Sequence, residues 1–416
     1  MSFLDAWKPP ARPAWVEHLN SMADAVGGPA RLVSLDSDEL IESATDSTGY
    51  TDFGPDTWRR HYDILVGSIN GQASLHAAGR LLTRSEIVRC LRNRLFVEAY
   101  LEAHPEALET PVREPVMICG YGRSGTSITQ ELFGCDPSMR APLATDLFNV
   151  SPLAEGESRS ERVRFADGEQ RYYDDVVPEY TAMHENGAEL PVECLMFQMH
   201  EFLSANFFGT LDVPDYLMHA MTTDWRSAYR YQYRMLQVMQ HQRPGQRWVL
   251  KGPTHQDRLE VLFEVFPDAK VVQLHRDPRK MIPSSFSLLG TLRWMRSDRV
   301  DLSALAFVPV TMKTTLERVI TQRENADIPG DQIYDLLYAD LVNDPAAAVR
   351  RAYAHHGLDF GAGQGGRIVA YLKAKPKGKH GSHRYTLEEF GLDSDQLGEM
   401  FRDYQTHYGV PEESDP

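Results

Sequence analysis

Two short stretches of this sequence carry residue types suited to holding anions. The first is Gly120-Tyr121-Gly122-Arg123-Ser124-Gly125-Thr126-Ser127. Its glycines let successive backbone N–H groups converge on one point, and a helix starting after the loop adds partial positive charge. The loop reads as a phosphate cradle, with a ligand-free strand–helix turn as the plain alternative. It fits an ATPase loop poorly, because Thr126 stands where the lysine of that motif belongs and the cation is Arg123, inside the loop. Nor does an acidic Mg²⁺ ligand close a following strand, since the candidates run into LKGP and LHRD. The second stretch is LHRDPRKMIPSSFS, in which Arg276 offers a planar fork of donors and Ser284, eight residues on, a hydroxyl. Alone, Arg276–Asp277 fits a capping salt bridge equally well. Together the two stretches imply a ligand with two separate phosphate groups.

In type, order and spacing the pair resembles the sulfotransferase family that uses 3′-phosphoadenosine 5′-phosphosulfate (PAPS). There a loop of the form PRSGTT or PKSGTT precedes a later Arg with Ser eight residues after it. The likeness covers residues 115–392 and is strongest to the bacterial branch, with its LKSPxH, HRDP and HGxHRYSLEDFGL strings. This chain reads LKGPTH from Leu250, HRDP from His275 and HGSHRYTLEEFGL from His380. The resemblance implies that Gly122, Arg123, Ser124, Gly125, Thr126 and Ser127 hold the 5′-phosphosulfate and that Arg276 and Ser284 hold the 3′-phosphate. Tyr338, in LLYADLVNDP, resembles the family's YEDL segment beside the nucleotide. The basic run KPKGKHGSHR, with Lys379, His383 and Arg384, resembles the family's lid over the 3′-phosphate; a solvated charged loop is its plain alternative.

Sulfuryl transfer requires an aligned attacking oxygen, a group to take its proton, and positive charge at the leaving phosphate. Arg123 occupies the loop position of the family's catalytic Lys or Arg, and acts electrostatically because it stays charged. Lys251 resembles the active-site Lys of the KTH and KDP strings. Two residues compete for the base. His255 lies four residues after Lys251; in cytosolic family members a His at nearly its distance before the 3′-phosphate Arg acts as base, and its ordinary proton affinity suits neutral pH. Asp146 lies 23 residues after Arg123, near the Glu of the tyrosylprotein branch, but is shorter by one methylene. His255 is placed ahead of Asp146. His184, Glu189, Glu193 and His200 are reserves, since ion-pair networks hold such residues just as often. The residues seen call for no metal. Met and aromatic side chains across residues 180–235 point mildly to an apolar alcohol or phenol as acceptor. A degenerate P-loop kinase or NTPase, and a nucleotide-binding scaffold without chemistry, stay open as alternatives.

The elements that must position these groups follow from pattern. Short apolar runs at 115–119, 247–250, 270–274 and 333–337 read as strands, and the segments between them as helices. The loop follows the first run, and Leu259, Leu262, Phe263 and Phe266 mark a helix face after the second. Strands alternating with helices predict an α/β fold with a central parallel sheet covered on both faces; the resemblance implies the three-layer P-loop arrangement. Residues 1–113 are expected to form a mainly helical N-terminal region, 114–360 the core, and 361–416 a basic lid segment and a helix. Residues 34–56 and 153–170, polar and rich in acidic or turn residues, are expected to be loops.

Composition narrows the classes. Among 416 residues, 59 are acidic and 43 are Lys or Arg, so the net charge is −16. That balance opposes general nucleic-acid binding, which needs a basic face. The hydrophobic fraction of 42% suffices for a large core. Four cysteines without CxxC spacing predict free thiols in a cytoplasmic protein. The N-terminus lacks the apolar stretch of a signal peptide, and no run is long enough to span a membrane. A homo-oligomer is left open.

Overall fold

The structure, a computed structural model, describes residues 7–152, 156–376 and 385–413. At its centre five strands form one parallel sheet: β1 (Val116–Cys119), β2 (Met139–Arg140), β3 (Arg247–Lys251), β4 (Lys270–His275) and β5 (Ile333–Leu337), in the order β2-β3-β1-β4-β5. Four of the five are the apolar runs read from sequence. β2 is two residues long and had no pattern to betray it. The α/β expectation holds. The three central strands β1, β3 and β4 are buried on both faces, which is why they read as continuous apolar runs rather than alternating ones. On one face Val116, Ile118, Val249, Val272, Leu274 and Leu336 pack with Leu132 and Phe133 of the helix Thr126–Gly134. On the other, Met117, Cys119, Leu250 and Val271 join a core that includes Leu40, Tyr62, Leu91 and Leu95 from the N-terminal helices. Each fully buried Leu, Ile or Val of this kind contributes roughly 1.5–3 kcal/mol.

The strand order reverses at β1, with β3 on one side and β4 on the other. Loops leaving such a switch point diverge and open a crevice at the C-terminal ends of the strands. Ile118 pairs with Lys251, and Cys119 with Gln273. The glycine loop, Lys251 and Arg276 therefore all emerge at that crevice. His275 pairs with Leu337, so Tyr338 emerges beside Arg276.

Two segments expected to be loops are helices. Ser37–Thr48 is capped by Asp36, whose side chain accepts from the Asp38 and Glu39 amides, and it buries Leu40 and Ala44 one turn apart. Arg159–Val176 begins with a capping box between Ser158 and Glu161 and buries Ala166, Tyr173 and Val176. In both, acidic and hydroxyl residues that read as loop composition are helix-start signals.

The long helix Ala77–Ala103 is tied to the core at a buried ion pair. Arg296 donates through both terminal nitrogens to Glu86, at 2.8 Å each, and Tyr173 donates to Glu86 at 2.5 Å. The approach requires Gly79, where an added Cβ would lie 1.9 Å from the Arg296 carbonyl oxygen. Gly79→Ala is therefore expected to cost roughly 1–3 kcal/mol or more by forced displacement. A clearly lower thermal midpoint is the readout; an unchanged one would refute the contact. Among the described residues no helix is long and apolar enough to cross a membrane.

Candidate functional site

The glycine loop turns by adopting left-handed backbone angles at Gly120, Arg123 and Gly125, with φ of 134°, 72° and 96°. Gly120 has no room for a side chain: a Cβ would sit 2.8 Å from the Leu274 carbonyl oxygen. Arg123 accepts the strained angle while its guanidinium is held from two sides. Its Nε donates to Ser284 Oγ at 2.9 Å and a terminal nitrogen donates to the Met183 carbonyl at 2.9 Å. The first-turn amides of the following helix have no intrahelical acceptors. Ser124 Oγ is fully buried with no hydrogen-bond partner. A Cβ at Gly122 would meet only Ser285 Oγ, at 3.6 Å, leaving that side of the loop open. These features suit an incoming oxyanion.

Arg276 closes β4. One terminal nitrogen donates to the Arg123 carbonyl at 2.7 Å, and its Cζ lies 4.0 Å from the centroid of the Tyr338 ring. Ser284 is buried on the helix Pro278–Trp294, capped by Asp277. The structure thus brings together Arg123, Arg276, Ser284 and Tyr338 from three separate parts of the chain.

Lys251 closes β3 and is nearly buried. Its Nζ donates to Ser127 Oγ at 3.1 Å and pairs closely with the Glu193 carboxylate. Glu193 Oε1 also lies 3.9 Å from His184 Nε2, and His184 Nδ1 is 3.0 Å from Asn186 Oδ1. Burial works against the charged carboxylate, but the Lys251 ammonium outweighs it, His184 adds to the effect, and the Glu193 pKa is held down to about 2. The segment reaches this place through the backbone. Leu143 bridges Pro191, Val192 N–H donates to the Pro142 carbonyl at 2.8 Å, and Thr145 Oγ1 donates to the Ala188 carbonyl at 2.8 Å. Lys375 then ties it to the loop helix, bonding Glu131 at 2.8 Å and Glu185 at 2.6 Å.

The two residues expected to compete as base take partners other than Lys251 and Glu193. His255 is fully buried, its Nδ1 is 2.8 Å from the Tyr229 hydroxyl, and its Nε2 has no partner. That Nε2 faces Gly252, where an added Cβ would come within 2.7 Å. Burial, with Arg258 adding to it against the opposing pull of Glu193, lowers the His255 pKa to about 3. Asp146 takes a hydrogen bond of 3.0 Å from Arg159 at the start of the helix Arg159–Val176. Of the reserves, Glu189 is exposed, and His200 is buried against Asn93 at 3.0 Å. Lys379, His383 and Arg384 lie outside the described residues. The Met183 carbonyl and the Glu193–His184 pair are the partners that sequence reading missed or left in reserve. The only signal for the pair was a run of carboxylates and histidines with nothing to rank them.

Comparison with known proteins gives the same picture. Two curated relatives, each described as an omega-hydroxy-beta-dihydromenaquinone-9 sulfotransferase, come from Mycobacterium bovis and Mycobacterium tuberculosis. Both are 26% identical over 314 residues, spanning 73% of this chain and 78% of the relative. Among solved structures, the sulfotransferase STF9 from Mycobacterium avium superposes with a TM-score of 0.79 at 27% identity, over 91% of this chain and 98% of that one. The sulfotransferase STF1 from Mycobacterium tuberculosis gives 0.75 at 27% identity, over 88% and 98%. A model of the sulfotransferase family matches residues 115–362, more than half the sequence. The chain belongs to the sulfotransferase family and is a transferase.

Proposed function

We propose that this enzyme transfers the sulfuryl group of PAPS to a hydroxyl, or an amine, of a small apolar acceptor. One observation carries the reading: the loop, Lys251 and the Arg276–Ser284 element meet at one crevice, an arrangement that supports two anion subsites with a cation at each. The loop amides and the hydroxyls of Ser124, Thr126 and Ser127 hold the 5′-phosphosulfate, with Gly122 and Gly125 keeping the approach clear. Arg276 and Ser284 hold the 3′-phosphate, and Tyr338 supports the face of the Arg276 guanidinium. The M. bovis relative is described by an acceptor with a hydroxyl on a menaquinone, which favours an apolar alcohol here too.

We assign the base to Glu193 rather than to His255 or Asp146. In the free enzyme Lys251 neutralises Glu193. The bound donor brings anionic oxygens that draw the Lys251 ammonium toward the leaving phosphate, where it offsets developing charge and can lend a proton. Glu193 then loses its counter-charge and gains basicity as the acceptor hydroxyl arrives. Arg123 adds fixed positive charge beside the same oxygens.

The test is transfer from labelled PAPS into a panel of alcohols, phenols, sterols and amines. Binding separates the reading from a kinase-like one. Adenosine 3′,5′-bisphosphate is expected to bind without Mg²⁺ and more tightly than ATP–Mg²⁺; the opposite order defeats the proposal. Arg276→Ala is expected to weaken the bisphosphate about ten- to hundredfold, the worth of a charged hydrogen bond. Adenosine 5′-phosphosulfate, which lacks the 3′-phosphate, should scarcely respond. Equal losses for both donors remove Arg276 from its assigned place.

A further inference from the structure

Arg276 reaches the second anion subsite with its bidentate edge already filled. Its Nε donates to Glu413 Oε1 at 2.7 Å and its other terminal nitrogen donates to Glu413 Oε2 at 2.8 Å. This is the parallel two-bond pairing by which a guanidinium fork takes either a carboxylate or a phosphate. The contacts to the Arg123 carbonyl and to the Tyr338 ring fix the plane of the fork. They leave the paired edge to Glu413. The pair is recessed, with side chains 17% and 25% exposed for Arg276 and Glu413.

The segment carrying Glu413 is delivered by built contacts. The helix Arg402–Tyr408 places Tyr404 and Tyr408 against His275, the last residue of β4, with the Tyr408 ring stacked at 3.9 Å. Val410 is buried beyond it. The Glu413 amide then donates to Asp277 Oδ2 at 2.9 Å. Arg279 bridges Asp277 at 3.0 Å and Glu412 at 3.2 Å. Two successive carboxylates thus lie along the two arginines that flank the start of the Pro278–Trp294 helix.

We infer that residues 412–413 form an acidic strap whose Glu413 carboxylate occupies the subsite for the nucleotide's second phosphate, so that the donor binds only by displacing it. The inference rests on the PAPS reading above. A carboxylate and a phosphate present the same pair of oxygens to the fork, but the phosphate carries more charge and wins when present. Being tethered, the strap competes at a high effective concentration and returns as soon as the nucleotide loosens. A strap closed nine-tenths of the time lowers apparent affinity about tenfold. Since the product nucleotide retains its 3′-phosphate, the same carboxylate would speed its departure.

Titration calorimetry of the full chain with adenosine 3′,5′-bisphosphate tests this, comparing wild type with Glu413→Gln and Glu413→Asp. Glu413→Gln is expected to tighten binding about three- to tenfold, as the competing population is lost. Glu413→Asp, with a shorter reach, should fall between the two. Adenosine 5′-monophosphate, which lacks the second phosphate, should gain much less from Glu413→Gln. Unchanged or weaker bisphosphate binding in Glu413→Gln overturns the strap and makes Glu413 a group that positions Arg276. An equal gain for the monophosphate also overturns it. If neither wild type nor variant binds the bisphosphate, the PAPS reading fails and the strap with it. Thermal midpoints of the variants check that each is folded.

Discussion

Glu193→Gln is expected to lower kcat about 10²- to 10⁴-fold, the usual worth of a positioned general base. Affinity for adenosine 3′,5′-bisphosphate should not fall and should rise modestly, because the carboxylate that competes with the nucleotide's 5′-phosphate for Lys251 is neutralised. The glutamine keeps the size and one acceptor oxygen but cannot take a proton. His255→Phe is the matched control. It removes the hydrogen bond to Tyr229 inside the core and should cost roughly 1–3 kcal/mol of stability. Turnover per folded molecule should survive. If folded His255→Phe is inactive while Glu193→Gln retains most turnover, the base is His255 and Glu193 is only the counter-ion of Lys251.

The pH profile offers a second reading of the same assignment. In the free enzyme Glu193 is held near pKa 2 against an ordinary 4.5, so it is ionised throughout the working range. The profile of kcat/KM, which reports the free enzyme, should show no acid limb from this group above about pH 3. The profile of kcat reports the ternary complex, where Lys251 has turned to the donor. Its acid limb should lie higher, toward the ordinary carboxylate value. The sign for stability is consistent with this. A depressed folded-state pKa contributes stability that is present above the ordinary value and is lost as pH falls toward 2.

What could be read from the sequence divides along physical lines. The strands were legible because parallel, doubly buried strands are short uninterrupted apolar runs, and the loop was legible because its glycines must take positive φ. Lys251 and Arg276 were legible because each ends such a run, and strand ends at a switch point face the crevice. The helices Ser37–Thr48 and Arg159–Val176 were misread because capping residues share their composition with loops. The spacing of His255 suggested a base, but spacing carries no information on burial. Glu193 could not be ranked above Glu185 or Glu189, since its place depends on the backbone bridge from Leu143 to Pro191. Glu413 was out of reach altogether. It lies 137 residues from Arg276 in an acidic run that looks like solvated chain, and tertiary contacts such as the packing of Tyr404 and Tyr408 on His275 bring the two together.

Lys251→Met should lower kcat about 10²- to 10³-fold, the cost of removing one preorganised charge from a developing oxyanion. Its Nζ pairs with Glu193 and bonds Ser127, so the substitution acts on both partners of the proposed exchange. Without the ammonium the burial of Glu193 is no longer offset, and the carboxylate pKa should rise from about 2 to above its ordinary 4.5, with His184 as the remaining restraint. An acid limb should therefore appear in kcat/KM of Lys251→Met where the wild type shows none. The losses should also be coupled. If Lys251 and Glu193 act on the same transfer, the double variant Lys251→Met/Glu193→Gln loses far less than the product of the two single losses. Lys251→Arg is a poor rescue, because a guanidinium keeps the charge but cannot lend a proton. Independent losses that multiply, with no new acid limb, would mean that the ion pair is structural and that the proton leaves the acceptor by another route.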